Sequence, residues 1–411
     1  MNWNQVAKAS VAIMAVAACV SAHAESKGMV ASVVTEKATL GKNDNIAVNL
    51  TITNTSSQPQ MMLKWHTAFA EIEESLFVVT RDGLKVPYLG AHYKRGAPSA
   101  SDYYLLKPGA SHTVRVALSD MYDVSITGQY TIAYSAKSLQ LFGPNEKTMG
   151  DIKSAPASVW IDGALPRGSV SNVFKQIDPP SASKPIDPPL ASFKPIDPPS
   201  ASLKPIDPPS ASSKPIDPPL ASFKPIDPPS PTAKPIDPPA PSAAGLAFNR
   251  CTTAQQADIR TAVTTAASYS TNALNYMGGT LGARYTKWFG ASDATRAAHV
   301  KADFTAIKDA FDNKPITVDC GCKKTYYAYV YPNQPYTIYV CKAFWTAPMS
   351  GTDSKGGTLV HEMSHFTATA GTDDWVYGQT GAASLAISDP AQATDNADSH
   401  EYFGENTPAL N

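Results

Sequence analysis

The hydrophobic pattern of this chain changes character twice. Over residues 27–165 apolar and polar positions alternate in short runs. "IAVNLTITN" (46–54) and "GQYTIAYSA" (128–136) read as half-buried strands, and "LFVVTRDGLKVPYL" (76–89) reads as two strands around an Asp82-Gly83 hairpin turn. "LLKPGASHTVRVAL" (105–118) places a Pro108-Gly109 turn between two further strands. Short strands separated by turn signals predict a small immunoglobulin-like sandwich over 25–167. No catalytic constellation is visible in it, which points to a structural or inhibitory module.

Periodicity then disappears. Between 168 and 245 the tetrad "IDPP" occurs seven times, the last six at a ten-residue period. Such proline density excludes helix and central strand, so an extended, disordered spacer is expected. Each repeat carries one lysine, from Lys184 to Lys234, with Lys175 before them. From 246 a helical period takes over. "TTAQQADIRTAVTTAASYSTNALNYMGG" and "DATRAAHVKADFTAIKDAFDN" are predicted helices, with threonine at the start and glycines at the end of the first. A β-rich stretch follows over 315–345, then a helix at "TLVHEMSHF" and another over "DPAQATDNADSHEYFGEN". The expected architecture is multidomain: an all-β domain, a Pro-rich linker, and an α+β, mainly helical domain over 246–411.

Composition adds limits. At 411 residues the chain exceeds one ordinary core. With 34 basic and 35 acidic residues, net charge −1, nothing recommends nucleic acid or an anionic membrane as partner. Residues 1–24 read as a secretory signal peptide: Lys8, an apolar run from Val11 to Val20, and "AHA" as cleavage site. "VAAC" ending at Cys19 is a minor alternative, a lipidated N-terminus. No later segment is apolar enough to span a bilayer. Cys251, Cys320, Cys322 and Cys341 remain, an even number in an exported chain, which predicts two disulfides. A Cys320–Cys322 bond would be strained, and the other two pairings stay open. A four-cysteine zinc site has the wrong spacing.

The chemistry is concentrated in "GGTLVHEMSHFTATAGTDDWVYG" (356–378). His361 and His365, four apart on a helix, present both imidazoles to one ion, and Glu362 lies about 100° round, placed to act on a water. This H-E-x-x-H pattern belongs to zinc peptidases, which need a third ligand. The metzincin pattern fails, because Ala368 and Gly371 stand where Gly and His are required. A gluzincin-type site would take Glu401 or Glu405 from the last helix. Asp373 and Asp374 are nearer.

"HEMSH" followed by "GTDDWVYG" resembles the signature of the aspzincins, the deuterolysin-type metalloendopeptidases, at every fixed position. The resemblance covers most of 246–411 and implies one zinc ion held by His361, His365 and Asp374. It implies Glu362 as general base and Tyr377 as donor to the oxyanion. The four cysteines look like those of the peptidyl-Lys metalloendopeptidase branch, which implies Cys251–Cys320 and Cys322–Cys341. In that branch two acids line an S1′ pocket selective for lysine, and "NADSHEYF" supplies Asp398 and Glu401 on one helical face. The expected protein is a secreted, monomeric zinc endopeptidase acting on protein substrates before lysine. Two rival readings are a gluzincin-type peptidase with Glu401 as ligand, and a surface adhesion protein with an inactive metal site. Family members commonly carry an N-terminal propeptide, so the sandwich is expected to inhibit in cis, with a lysine such as Lys94 in "AHYKRGAP" filling the pocket. The linker lysines, as at Phe193-Lys194, become candidate self-processing sites.

Overall fold

The computed structural model describes residues 26–41, 44, 46–70, 72–163 and 245–411. The expected signal peptide and Pro-rich linker lie outside the described residues, Gly245 excepted.

Alternation does produce strands in the N-terminal half. Gly128–Ser138 is the centre of a sheet, paired antiparallel with Phe77–Arg81 on one side and Ala157–Ile161 on the other. Its even positions Tyr130, Ile132, Tyr134 and Ala136 are buried, as a period of two requires. Ala47–Asn54 lies between Met29–Thr35 and Ser111–Ala117 in a second, three-stranded antiparallel sheet. Val48, Leu50 and Ile52 from that sheet meet Tyr130, Ile132 and Tyr134 in one apolar core. The Asp82-Gly83 turn closes the hairpin between Phe77–Arg81 and Leu84–Lys85, with positive φ at both residues (49° and 83°). Pro108-Gly109 acts differently. Tyr103–Leu106 pairs with Gln60–Leu63 and Ser111–Ala117 pairs with Ala47–Asn54, so this turn passes the chain between sheets.

The C-terminal half is mainly helical. Thr252 caps Thr253–Met277, and its own N–H donates to Gln255 Oε1, which completes a capping box. Asp293 caps Ala294–Asn313. The histidine helix runs Lys355–His365, three residues earlier than its apolar pattern predicts, because Ser354 caps it. Gly357 permits this start, since a Cβ there would lie 2.0 Å from Glu405 Oε1. The last predicted helix is two, Pro390–Ala393 and Ala397–Glu405, separated by a turn at Asn396. Helices Ala283–Phe289 and Gln379–Ser388 are additional to the elements read from the pattern. Both disulfides form, Cys251–Cys320 and Cys322–Cys341.

The two halves share a sheet. Ala247–Asn249, Thr317–Asp319 and Thr337–Val340 run parallel, and Ala328–Val330 is antiparallel to the last. The exposed edge of Ala328–Val330 is taken by His92–Lys94 from the β-rich half, in antiparallel register. That added strand runs directly over the histidine helix.

Candidate active site

The helix Lys355–His365 is buried along its whole length. His361 Nε2 and His365 Nε2 stand 3.1 Å apart. The chain leaves the helix at Phe366 and returns through Gly371, whose N–H donates to the Phe366 carbonyl. The returning loop is sewn to the turn before the last helix. Asn396 Oδ1 accepts from the backbone N–H of Trp375 and Val376, and Asp373 N–H donates to the Asp395 carbonyl. This stitching holds Asp374 beside the two imidazoles, with Oδ1 3.3 Å from His361 Nε2 and Oδ2 3.4 Å from His365 Nε2. Asp373 points elsewhere, toward His92 Nδ1 at 3.5 Å.

Three donors that close invite a cation. Ligand atoms about 2.0–2.1 Å from a tetrahedral zinc stand roughly 3.3 Å from one another, as these do. Both Asp374 oxygens and Glu362 Oε2 are buried without a hydrogen-bond partner, a costly arrangement unless an ion or its water satisfies them. Burial pushes His365 down to about 3, whereas at His361 burial is outweighed by the Asp374, Asp398 and Glu401 carboxylates, which raise it. Burial works against the Asp374 carboxylate, but the neighbouring His365 and His361 outweigh it and hold its pKa below the usual range. The far ring nitrogens are also held. His365 Nδ1 bonds the Thr372 carbonyl at 2.8 Å, and His361 Nδ1 lies 2.9 Å from Asp398 Oδ1. Glu401 sits on that outer side, 3.4 Å from His361 Nδ1 and away from the Nε2 pair. Glu362 is wholly buried and its carboxyl is pushed up to about 8 by that burial.

Next to this cluster lies a second acidic group, and it is filled. Lys94, fully buried, places Nζ 2.9 Å from Asp398 Oδ1, 2.8 Å from Glu401 Oε2 and 3.2 Å from Asp353 Oδ1. Burial disfavours the ammonium, but Asp398 and Glu401 more than compensate, so its pKa lies well above the ordinary lysine value. The rings of Tyr402 and Tyr327 face it at 5.3 and 5.7 Å. The peptide bond before this lysine is aligned with the remaining site residues. Lys94 N–H donates to Glu362 Oε1 at 3.3 Å. The Tyr93 carbonyl accepts from the Tyr377 hydroxyl at 3.0 Å, and Glu74 Oε1 lies 2.8 Å from the same hydroxyl.

His361, Glu362, His365, Asp374, Tyr377, Asp398, Glu401 and Lys94 are therefore brought together here, and three further participants, Asp353, Glu74 and His92, were not singled out in the sequence. Asp353 joins the lysine pocket from the turn before the histidine helix, where nothing in its local sequence marks it. Glu74 and His92 come from the β-rich half. His92 stacks on His365 at 4.7 Å, and only the tertiary fold brings it there.

Comparison with known proteins places the chain in a family. The family model for lysine-specific metallo-endopeptidases matches residues 278–405. The chain is 41% identical to an extracellular protease of Aeromonas hydrophila over 380 residues, 90% of this chain and 91% of that one. It is 30% identical to a peptidyl-Lys metalloendopeptidase of Grifola frondosa over 412 residues, 97% of this chain and 98% of that one. A peptidyl-Lys metalloendopeptidase of Pleurotus ostreatus is 48% identical over 167 residues, 40% of this chain and 98% of that one. With likeness extending over nearly the whole length of two relatives, the chain belongs to the lysine-specific metallo-endopeptidase family, the aspzincins, and is a zinc metalloendopeptidase.

Proposed function

We propose that this protein is an exported precursor of an endopeptidase that cuts on the N-terminal side of lysine. The observation carrying this reading is the seating of Tyr93–Lys94. A lysine side chain fills an acidic pocket while the bond before it meets Glu362 on its nitrogen side and Tyr377 on its oxygen side. A substrate Xaa-Lys bond would lie the same way.

In this mechanism His361, His365 and Asp374 would hold one zinc ion. When bound, it supplies Lewis acidity to a water and to the scissile carbonyl. Glu362, whose Oε1 faces the nitrogen of the bond before lysine, takes a proton from the attacking water and passes it to the departing lysine nitrogen. Tyr377 donates to the oxygen on which negative charge grows. Asp398 and Glu401 select lysine, because a buried acid pair pairs with an ammonium and is left unpaired by a neutral side chain. Asp398 also positions His361 through Nδ1, so pocket and ligand set are joined by one carboxylate.

The remaining parts follow from the same reading. Residues 1–24 are an export leader, 25–167 an immunoglobulin-like inhibitory domain, 168–245 a spacer and 246–411 the peptidase domain of a monomer. The relative named as extracellular supports secretion. The inhibitory segment is fastened at both ends: Leu89 N–H bonds the Met121 carbonyl, and Tyr103–Leu106 pairs with Gln60–Leu63. An amine formed at Lys94 would therefore not leave. Cleavage at linker lysines would free the peptidase domain. Peptide mapping of casein digested by the processed enzyme tests the whole reading. New N-termini should begin with lysine and a zinc chelator should stop the digestion. Cleavage scattered over other residues would overturn it.

A further inference from the structure

The strand that occupies the groove reports more than the lysine pocket. Tyr93, the residue before Lys94, lies directly opposite Tyr329 in the antiparallel register. Their rings are 5.4 Å apart, and Tyr326 meets the Tyr93 ring edge-on at 5.3 Å and 68°. We infer that Tyr329, with Tyr326 beside it, is the shelf that receives the side chain on the N-terminal side of the cut, so that the enzyme favours an aromatic residue before lysine.

The shelf belongs to the peptidase half and is packed against its own neighbours there. Tyr329 stacks face to face on Tyr339 of the neighbouring strand, 4.6 Å apart and 4° from parallel. Tyr331 closes edge-on against both, at 5.9 and 6.0 Å. Directly opposed residues on paired strands are the ones whose side chains meet, so a substrate taking the place of His92–Lys94 must lay its residue before lysine across Tyr329. Tyr326 is the less independent wall. Its hydroxyl bonds Glu73, and the Arg95 guanidinium covers its ring at 4.3 Å, both from the β-rich half. Tyr326 meets the occupant edge-on and Tyr329 meets it tilted at 36°, and two aromatic partners at such distances are worth about tenfold in selectivity over alanine.

This inference rests on the proposed cut before lysine, and the experiment separates the two. Synthetic peptides differing only in the residue before lysine (Tyr, Phe, Ala or Ser) are hydrolysed by processed enzyme obtained from the full chain. A parallel set replaces the lysine with glutamine. The expected kcat/KM is about tenfold higher for Tyr or Phe than for Ala, with Lys strongly preferred over Gln. Tyr329→Ala should bring the Tyr and Ala peptides to within about twofold while keeping the preference for Lys over Gln, which shows the fold intact. Tyr329→Phe should keep the aromatic preference. Equal rates for Tyr and Ala peptides in the wild type, or an unchanged ratio in Tyr329→Ala, would overturn the shelf. Absence of lysine preference in the wild type would instead overturn the reading beneath it.

Discussion

Lys94 is a charged side chain with no exposed surface, which is tolerable only because Asp398, Glu401 and Asp353 surround its ammonium. Removing one partner from such a cluster costs about 3–5 kcal/mol. Lys94→Ala should therefore loosen the precursor and raise its initial rate on a lysine peptide at least about tenfold; an unchanged rate would count against cis-inhibition through this residue. The acids at the site divide by position. Asp374 faces both Nε2 atoms, whereas Glu401 faces Nδ1 and the lysine. Asp374→Ala should abolish zinc binding in a metal-content measurement. Glu401→Ala should retain zinc and reduce the preference for lysine over glutamine by roughly 10- to 100-fold, the worth of one charge-assisted hydrogen bond. Loss of zinc in Glu401→Ala would restore the gluzincin-type alternative.

At the scale of elements, the histidine helix depends on the end of the last helix. Glu405 Oε1 accepts from Ser354 N and Oγ, and Oε2 accepts from Asp353 N. A carboxylate there serves the unpaired N–H groups at the helix start. It also holds the turn that delivers Asp353 to the lysine. Gly357→Ala would drive a methyl into that carboxylate and should cost about 1–3 kcal/mol, read by chemical denaturation, together with weaker zinc retention. Gly96→Ala, where nothing lies within 4 Å, should change stability by less than about 0.5 kcal/mol. The Asn396 turn explains why the sequence pattern over 389–406 reads as one helix and folds as two. Asn396 spends its side chain on Trp375 and Val376, a long-range demand that a local periodicity does not contain.

At the scale of the molecule, the disulfides close spans of 69 and 19 residues around the shared sheet. Loop closure of those lengths contributes ~4 and ~3 kcal/mol. Expression under reducing conditions should thus yield little active peptidase, measured as casein hydrolysis per milligram. The precursor's mature N-terminus, read by sequencing, should fall within 175–246. Phe174, Phe193 and Phe223 each precede a linker lysine, so those three bonds should be cut ahead of the others. An N-terminus outside the span would end the linker-processing idea.

Much of this was legible from residues alone because the information is local. Four-residue spacing on a helix aligns two imidazoles whatever surrounds them, and "GTDDWVYG" is close enough in the chain to reach them. Capping residues and the Asp82-Gly83 turn likewise act through their immediate neighbours. A local pattern has no means of stating which distant segment completes a groove. The arrival of Asp353, Glu74 and His92, and the pairing of His92–Lys94 with Ala328–Val330, come from tertiary contacts alone. A lone lysine in "AHYKRGAP" became a buried pocket occupant because an open sheet edge and an unsatisfied acid pair met it in three dimensions. Hydrogen-bonding capacity and buried charge are satisfied by the whole fold, and the sequence records that only at the residues which are neighbours along the chain.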